Sequence, residues 1–182
     1  IAIEIPTDGG RERYCSLRCA IADDRQPSVE LPPAPQRILV AVDGSGPSLR
    51  ATELAATLAR ASGARVELIH AIDPNLLRTL PIDAGPEGVT RLGIVAEQLE
   101  ARLRHDAEAQ LERCQRICKA AGIAVDTRVA LEAPNQAIAR AAEEFDLIVI
   151  GSRGLGATSA ERLGSLSHRV IADTTRPVLV VH

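Results

Sequence analysis

The 182-residue chain has no methionine and no tryptophan, and its only aromatic residues are Tyr14 and Phe145. Two aromatics cannot form a platform on which bases stack, so single-stranded nucleic acid is not an expected partner. The core must instead be aliphatic, built from Val, Ile, Leu and Ala. Lysine is as scarce: Lys119 stands alone, which removes the Gly-Lys-Ser/Thr of a Walker A loop. The formal charge is only -3, far from the basic balance that grips a nucleic-acid backbone. No apolar run approaches the roughly 20 residues of a membrane span, and no basic-then-apolar leader opens the chain. Four cysteines in a chain of this length do not make a disulfide scaffold, so a reducing cytoplasm is the expected setting. The start at Ile1 with no methionine anywhere points to truncation or processing.

What is present suits one globular domain with a short appendage: 46% hydrophobic and 25% charged residues, over enough chain to bury a core. Residues 1–36 form a distinct extension. It carries Cys15 and Cys19 and ends in Pro27, Pro32, Pro33 and Pro35, a spacing that favours extended, semi-rigid backbone. The boundary falls near Gln36, which leaves residues 37–182 as the main domain.

From Arg37 the pattern is regular. Ile38-Leu39-Val40-Ala41-Val42 reads as a strand buried on both faces, closed by Asp43-Gly44-Ser45-Gly46. Ser45 before Pro47 marks a helix start, and Gly63 a helix end. Residues 66–72 give a second strand, and residues 73–88 a long loop. A long helix comes next with an apolar stripe from Val89 to Ala121, ended by Gly122. A strand over 123–131, a helix over 135–145, the strand Leu147-Ile148-Val149-Ile150, a helix over 161–172 and a last strand over 178–181 complete the chain. Alternating strands and helices mean βαβ units and a parallel sheet covered on both faces. Such open sheets bind ligands at the carboxyl ends of the strands where strand order reverses. Two such ends stand out, at Val42-Asp43 and at Gly151.

The segment from Gly151 to Ser167 carries Gly151, Gly154, Gly156 and Gly164 between a buried strand and a helix. Glycines let main-chain N–H groups approach an anion without Cβ obstruction. A run of N–H groups leading into a helix N-terminus suits a phosphate chain, and Ser165 and Ser167 add hydroxyls. The glycine spacing does not fit the dinucleotide fingerprint, and the segment comes after the fourth strand rather than the first.

Gly151-x-x-Gly154, nine residues, then Gly164-Ser165 resembles the loop of the ATP-binding universal stress proteins. Arg37-Ile-Leu-Val-Ala-Val-Asp43, Asp146-Leu-Ile-Val-Ile-Gly151 and Thr175-Arg-Pro-Val-Leu-Val-Val181 are similar to that family's first, fourth and closing strands. The resemblance implies an α/β fold: an open five-stranded parallel sheet, order 3-2-1-4-5, with helices on both faces. It implies that Gly151, Gly154, Gly164 and Ser165 hold phosphates and ribose and that Ser167 gives a hydroxyl to the phosphates. Val42 and Asp43 would lie near the ribose or adenine, and the Ala71 backbone would meet the adenine edge. Arg153 could reach a phosphate or stay solvated. Leu166 replaces a common Val, Ile150 a common Met in the adenine wall, and Glu132-Ala133-Pro134 a glycine-containing turn. The resemblance also implies ATP, with Mg or Mn bridging its phosphates, and a homodimer paired through residues 178–181.

Three functions are therefore weighed. One is a nucleotide-binding stress or energy sensor. The second is a slow ATP hydrolase or phosphoryl-transfer enzyme, for which the loop offers no lysine and no evident base. The third is a metal- or redox-responsive protein using Cys15 and Cys19, which would need two further ligands for a four-ligand site. Asp43 also fits a turn or cap role beside Ser45, and Cys114 and Cys118 fit buried thiols on the apolar stripe.

Overall fold

A computed structural model describes residues 3–7, 10–14, 33–78, 86–154 and 163–182. The chain separates into two compact units, Ile1–Ala34 and Pro35–His182. In the first, β1 (Ile3–Thr7) pairs antiparallel with β2 (Gly10–Tyr14), Thr7 opposite Gly10. The sequence pattern did not suggest this ladder. Its signal is Ile3, Ile5 and Thr7 in alternation before Asp8-Gly9, a dipeptide that favours two-residue hairpins.

The second unit runs β3 (Arg37–Ala41), α1 (Gly46–Ser62), β4 (Arg65–Ile72), α2 (Asn75–Arg78), α3 (Pro86–Ala120), β5 (Val125–Leu131), α4 (Pro134–Ala142), β6 (Leu147–Gly151), α5 (Ser165–Asp173) and β7 (Val178–Val181). Its five strands are all parallel, in the order β5-β4-β3-β6-β7. Counted from Arg37 this is 3-2-1-4-5, as expected. The order reverses between β3 and β6, which pair directly.

Side-chain alternation sorts the core into two layers. Ile38, Val40, Val42, Val66, Leu68 and Val149 face α1 and α3. Leu39, Ile69, Ile148 and Ile150 face α4 and α5. Ile38, Leu39, Val40 and Ile148 are wholly buried, and each such side chain contributes about 2 kcal/mol by leaving water. Helix α1 presents only small residues to the sheet, Ala51, Ala55, Ala56 and Ala59, so it lies close. An added Cβ on Gly151 would sit 2.8 Å from the Ser48 nitrogen and 2.9 Å from the Pro47 carbonyl carbon. The absent side chain at 151 is what lets α1 start against the end of β6. Gly63 (φ 76°) and Gly122 (φ 77°) end α1 and α3 in the left-handed region. Cys114 and Cys118 are free, fully buried thiols on α3, as their place on the stripe implied.

Four boundaries differ by two residues or more from those expected of the sequence. The loop placed at residues 73–88 holds the turn of α2 and the start of α3 at Pro86, proline being accommodated in a first helical turn. Strand β5 begins at Val125 rather than 123. Helix α4 ends at Ala142, not 145, and Phe145 turns into the core beneath the Arg37 guanidinium, 4.8 Å from the ring centre. Helix α5 begins at Ser165 rather than 161, because Gly164 is extended (φ -72°, ψ 158°) and its N–H donates back to the Ser152 carbonyl at 2.7 Å.

Candidate functional site

The segments leaving the carboxyl ends of β3 and β6 form the walls of a cavity of about 300 Å³. The β3 wall is a tightly bonded turn. The Ser45 N–H donates to Asp43 Oδ1 at 2.9 Å. Ser45 Oγ accepts from the Ser48 N–H at 3.2 Å, capping α1, and donates to the Arg153 carbonyl at 3.2 Å. Gly44 between them has φ 82°, a conformation that side-chain-bearing residues rarely adopt. The turn thus satisfies its own helix, ties itself to the β6 loop and leaves Asp43 Oδ2 toward Gly154. A Cβ on Gly154 would lie 2.7 Å from that oxygen.

The β6 wall is built oppositely. The Ser152 N–H donates to the Val181 carbonyl and Gly164 folds back on Ser152, both at 2.7 Å. This brings the start of α5 beside the end of β6. The N-cap of α5 is Gly164, which makes no side-chain hydrogen bond. The N–H groups of Ser165, Leu166 and Ser167 occupy the first turn, where no intrahelical acceptor exists, and all three residues line the cavity. The Ser167 hydroxyl does not cap them. Ser167 Oγ, almost fully buried, donates to the Gly151 carbonyl at 2.8 Å. Its proton is committed to β6, so Ser167 has only its main-chain N–H to offer an anion, not the hydroxyl that the resemblance implied.

The floor is apolar: Ala41, Ile69, Ala71 and Ile150 from the strands, Pro134 and Ile138 from α4. The cavity therefore has donor groups at the start of α5 beside Arg153, an acceptor at Asp43 close to Gly154, and an aliphatic floor. That combination suits a ligand with an anion, hydroxyls and a flat apolar part.

A universal stress protein family model matches residues 35–182. The chain belongs to the universal stress protein family. A relative from Thermus aquaticus, the universal stress protein encoded in the 3′ region of the QAH/OAS sulfhydrylase gene, is 35% identical over 147 residues, covering 79% of this chain and 96% of that one. The solved structure of MJ0577, a Methanocaldococcus jannaschii universal stress protein, aligns with TM-score 0.68 over 80% of this chain and 94% of the other, and at 24% identity supports the fold alone. The crystal structure of a universal stress protein in complex with cAMP aligns with TM-score 0.58 at 28% identity, over 82% and 98% of the two chains.

In this universal stress protein the ten positions singled out in the sequence line one cavity: Val42, Asp43 and Ala71 on one side, Gly151, Arg153 and Gly154 on another, and Gly164 through Ser167 on the third. Asp43 combines both roles considered for it, turn acceptor through Oδ1 and cavity group through Oδ2. The sequence pattern alone did not point to Ala41, Ser48, Ile69, Pro134 and Ile138. Strand parity held the signal for Ile69, which shares a face with Ala71, and helix period held it for Ile138, one turn beyond Pro134. His70 points to the opposite face of β4. Burial lowers its pKa from 6.5, against the raising effects of Asp43 and of a hydrogen bond to the Val42 backbone. It is neutral at pH 7 and adds no cation beside Asp43. The described residues contain no cluster of three His, Cys, Asp or Glu able to hold a metal. Cys15, Cys19 and residues 155–162 of the glycine-rich loop lie outside the described residues.

Proposed function

We propose that this universal stress protein binds an adenine nucleotide in the cavity and works as a stress or energy sensor. The phosphates sit on the N–H groups of α5 and the Gly151–Gly154 turn, with Arg153 alongside. The ribose hydroxyls face Asp43, and the base lies in the aliphatic slot with its edge on the Ala71 backbone. The observation that carries this reading is an uncapped helix N-terminus opening on a cavity that also carries a carboxylate. Helix N-termini attract anions, and a carboxylate accepts from hydroxyls. The similarity to a relative crystallised with cAMP supports adenine as the base.

ATP is the nucleotide we assign, with Mg or Mn bridging its phosphates. Such an ion would be held by the phosphates and water, with Asp43 left to the ribose hydroxyls. We further propose that residues 1–36 are an accessory extension and that two copies pair through β7. That strand has one neighbour, β6, and its four residues are half-buried in a single chain, so pairing would cover an open apolar edge. The cytoplasm is the proposed setting, where thiols such as Cys114 and Cys118 stay reduced.

Calorimetric titration with ATP, AMP and NAD, with and without Mg, tests the binding. Saturable heat with ATP and AMP is expected, and no heat with any adenine nucleotide removes the reading. Light scattering tests the assembly: twice 19.3 kDa is expected, and the single-chain mass contradicts pairing.

A further inference from the structure

Helix α3 spans 35 residues and packs on the α1 side of the sheet, away from the cavity. One of its side chains nevertheless reaches the turn that carries Asp43. A Cβ built on Gly44 would lie 2.6 Å from both Cδ and Oε1 of Gln110 and 3.1 Å from its Cγ. The Gln110 side chain thus fills the space where residue 44 would have had its own. Gly44 is held at φ 82°, and its neighbours on both sides are committed: Asp43 Oδ1 to Ser45, and Ser45 Oγ to Ser48 and Arg153. Those bonds all come from the β3–α1 segment and the β6 loop. Gln110 supplies a contact from α3, next to Ala107 and Leu111, which anchor that part of the helix in the core.

We infer that Gln110 is a positioning residue for nucleotide binding, acting through Asp43. The side chain blocks rotation of the peptide units flanking Gly44 and so fixes the direction of the carboxylate at the cavity mouth. Glycine has the widest backbone freedom of any residue, and Gln110 is placed to add a restraint from α3 to the one that the Ser45–Asp43 bond already gives. A site whose acceptor is pre-aimed binds more tightly than one that must order it on binding. The inference rests on the nucleotide reading above and adds to it a residue that touches no ligand.

A double-mutant cycle tests it, with AMP as the probe in calorimetry on the full chain. Gln110→Ala should weaken AMP binding about 5- to 10-fold, the scale of one misaligned polar contact. In an Asp43→Asn background the same change should cost less than about 2-fold, since the group it positions is already altered. Gln110→Met, which keeps the length and the contact, should bind within about 2-fold of wild type. Thermal melts of all the variants separate these effects from loss of fold. Equal losses in both backgrounds overturn the inference, because Gln110 would then act on the structure at large. Wild-type affinity in Gln110→Ala, or in Asp43→Asn, overturns it as well while leaving nucleotide binding intact. A wild-type chain that binds no AMP instead overturns the nucleotide reading itself.

Discussion

Of the helices that begin at the cavity, the two that come after β3 and β6 are finished in opposite ways. Helix α1 is closed: Ser45 caps it, Asp43 accepts the Ser45 N–H, and no first-turn carboxylate or ligand is needed. Helix α5 is left open: Gly164 has no side chain to cap it, and the nearby Ser167 hydroxyl is turned back to the Gly151 carbonyl. Both come after central strands that pair directly, so the contrast is not one of position in the fold. A cap is worth about 1 kcal/mol. Forgoing it where α5 starts leaves first-turn N–H groups without a side-chain partner. The closed partner serves a second purpose, as its own bonding aims a carboxylate into the cavity.

The contrast can be broken most severely at Gly154. Valine there would push the Asp43 carboxylate from the mouth or lift the Arg153–Gly154 backbone off the anion. Nucleotide affinity should fall about 100-fold by calorimetry, with little change in melting, since a misplacement of an ångström at a binding group has effects of that order. Gly151→Ala attacks the fold instead. Its Cβ would meet the backbone of Pro47 and Ser48, which cannot step aside, and stability should drop by about 1–3 kcal/mol in urea unfolding. Ser45→Ala removes the α1 cap and the tie to Arg153 together. It should cost about 1 kcal/mol of stability and weaken binding only a few-fold.

A smaller effect checks that Cys118, on α3, is separate from the site. Burial raises the Cys118 pKa from 9.0 to about 11, with a further push from Cys114. A group whose folded pKa is raised contributes stability below its unfolded pKa and loses it as pH climbs through the folded value. Stability should therefore decline between pH 9 and about 11. Cys118→Ala should flatten that decline in denaturation curves while leaving nucleotide affinity unchanged.

Much of the contrast was legible in the residues. Ser45 before Pro47 announced the capped helix, and the spacing of Gly151, Gly154 and Gly164 announced the open one. The strand order was implied by the family resemblance, and the burial of Cys114 and Cys118 was readable from hydrophobic period. The start of α5 was not. Leu163 is a good helix former, and the tertiary bond from Gly164 to the Ser152 carbonyl decides that the helix begins after it. Likewise nothing local shows that the Ser167 hydroxyl turns to Gly151, or that Gln110 comes to rest on Gly44. These are contacts between elements distant in sequence, fixed by how closely α1 and α3 approach the sheet. The β1–β2 ladder was hidden because mixed charges at Glu4, Arg11, Glu12 and Arg13 obscured a short alternating pattern.

The direct test is to close the open helix. Gly164 has an ordinary φ of -72°, and an added Cβ there would meet nothing nearer than 3.4 Å, so aspartate fits. Gly164→Asp would cap α5 and place a negative charge where the phosphates are to sit. Calorimetric titration of this variant with AMP should give no binding in a protein that melts no lower than wild type. Wild-type affinity in the capped protein would contradict the account.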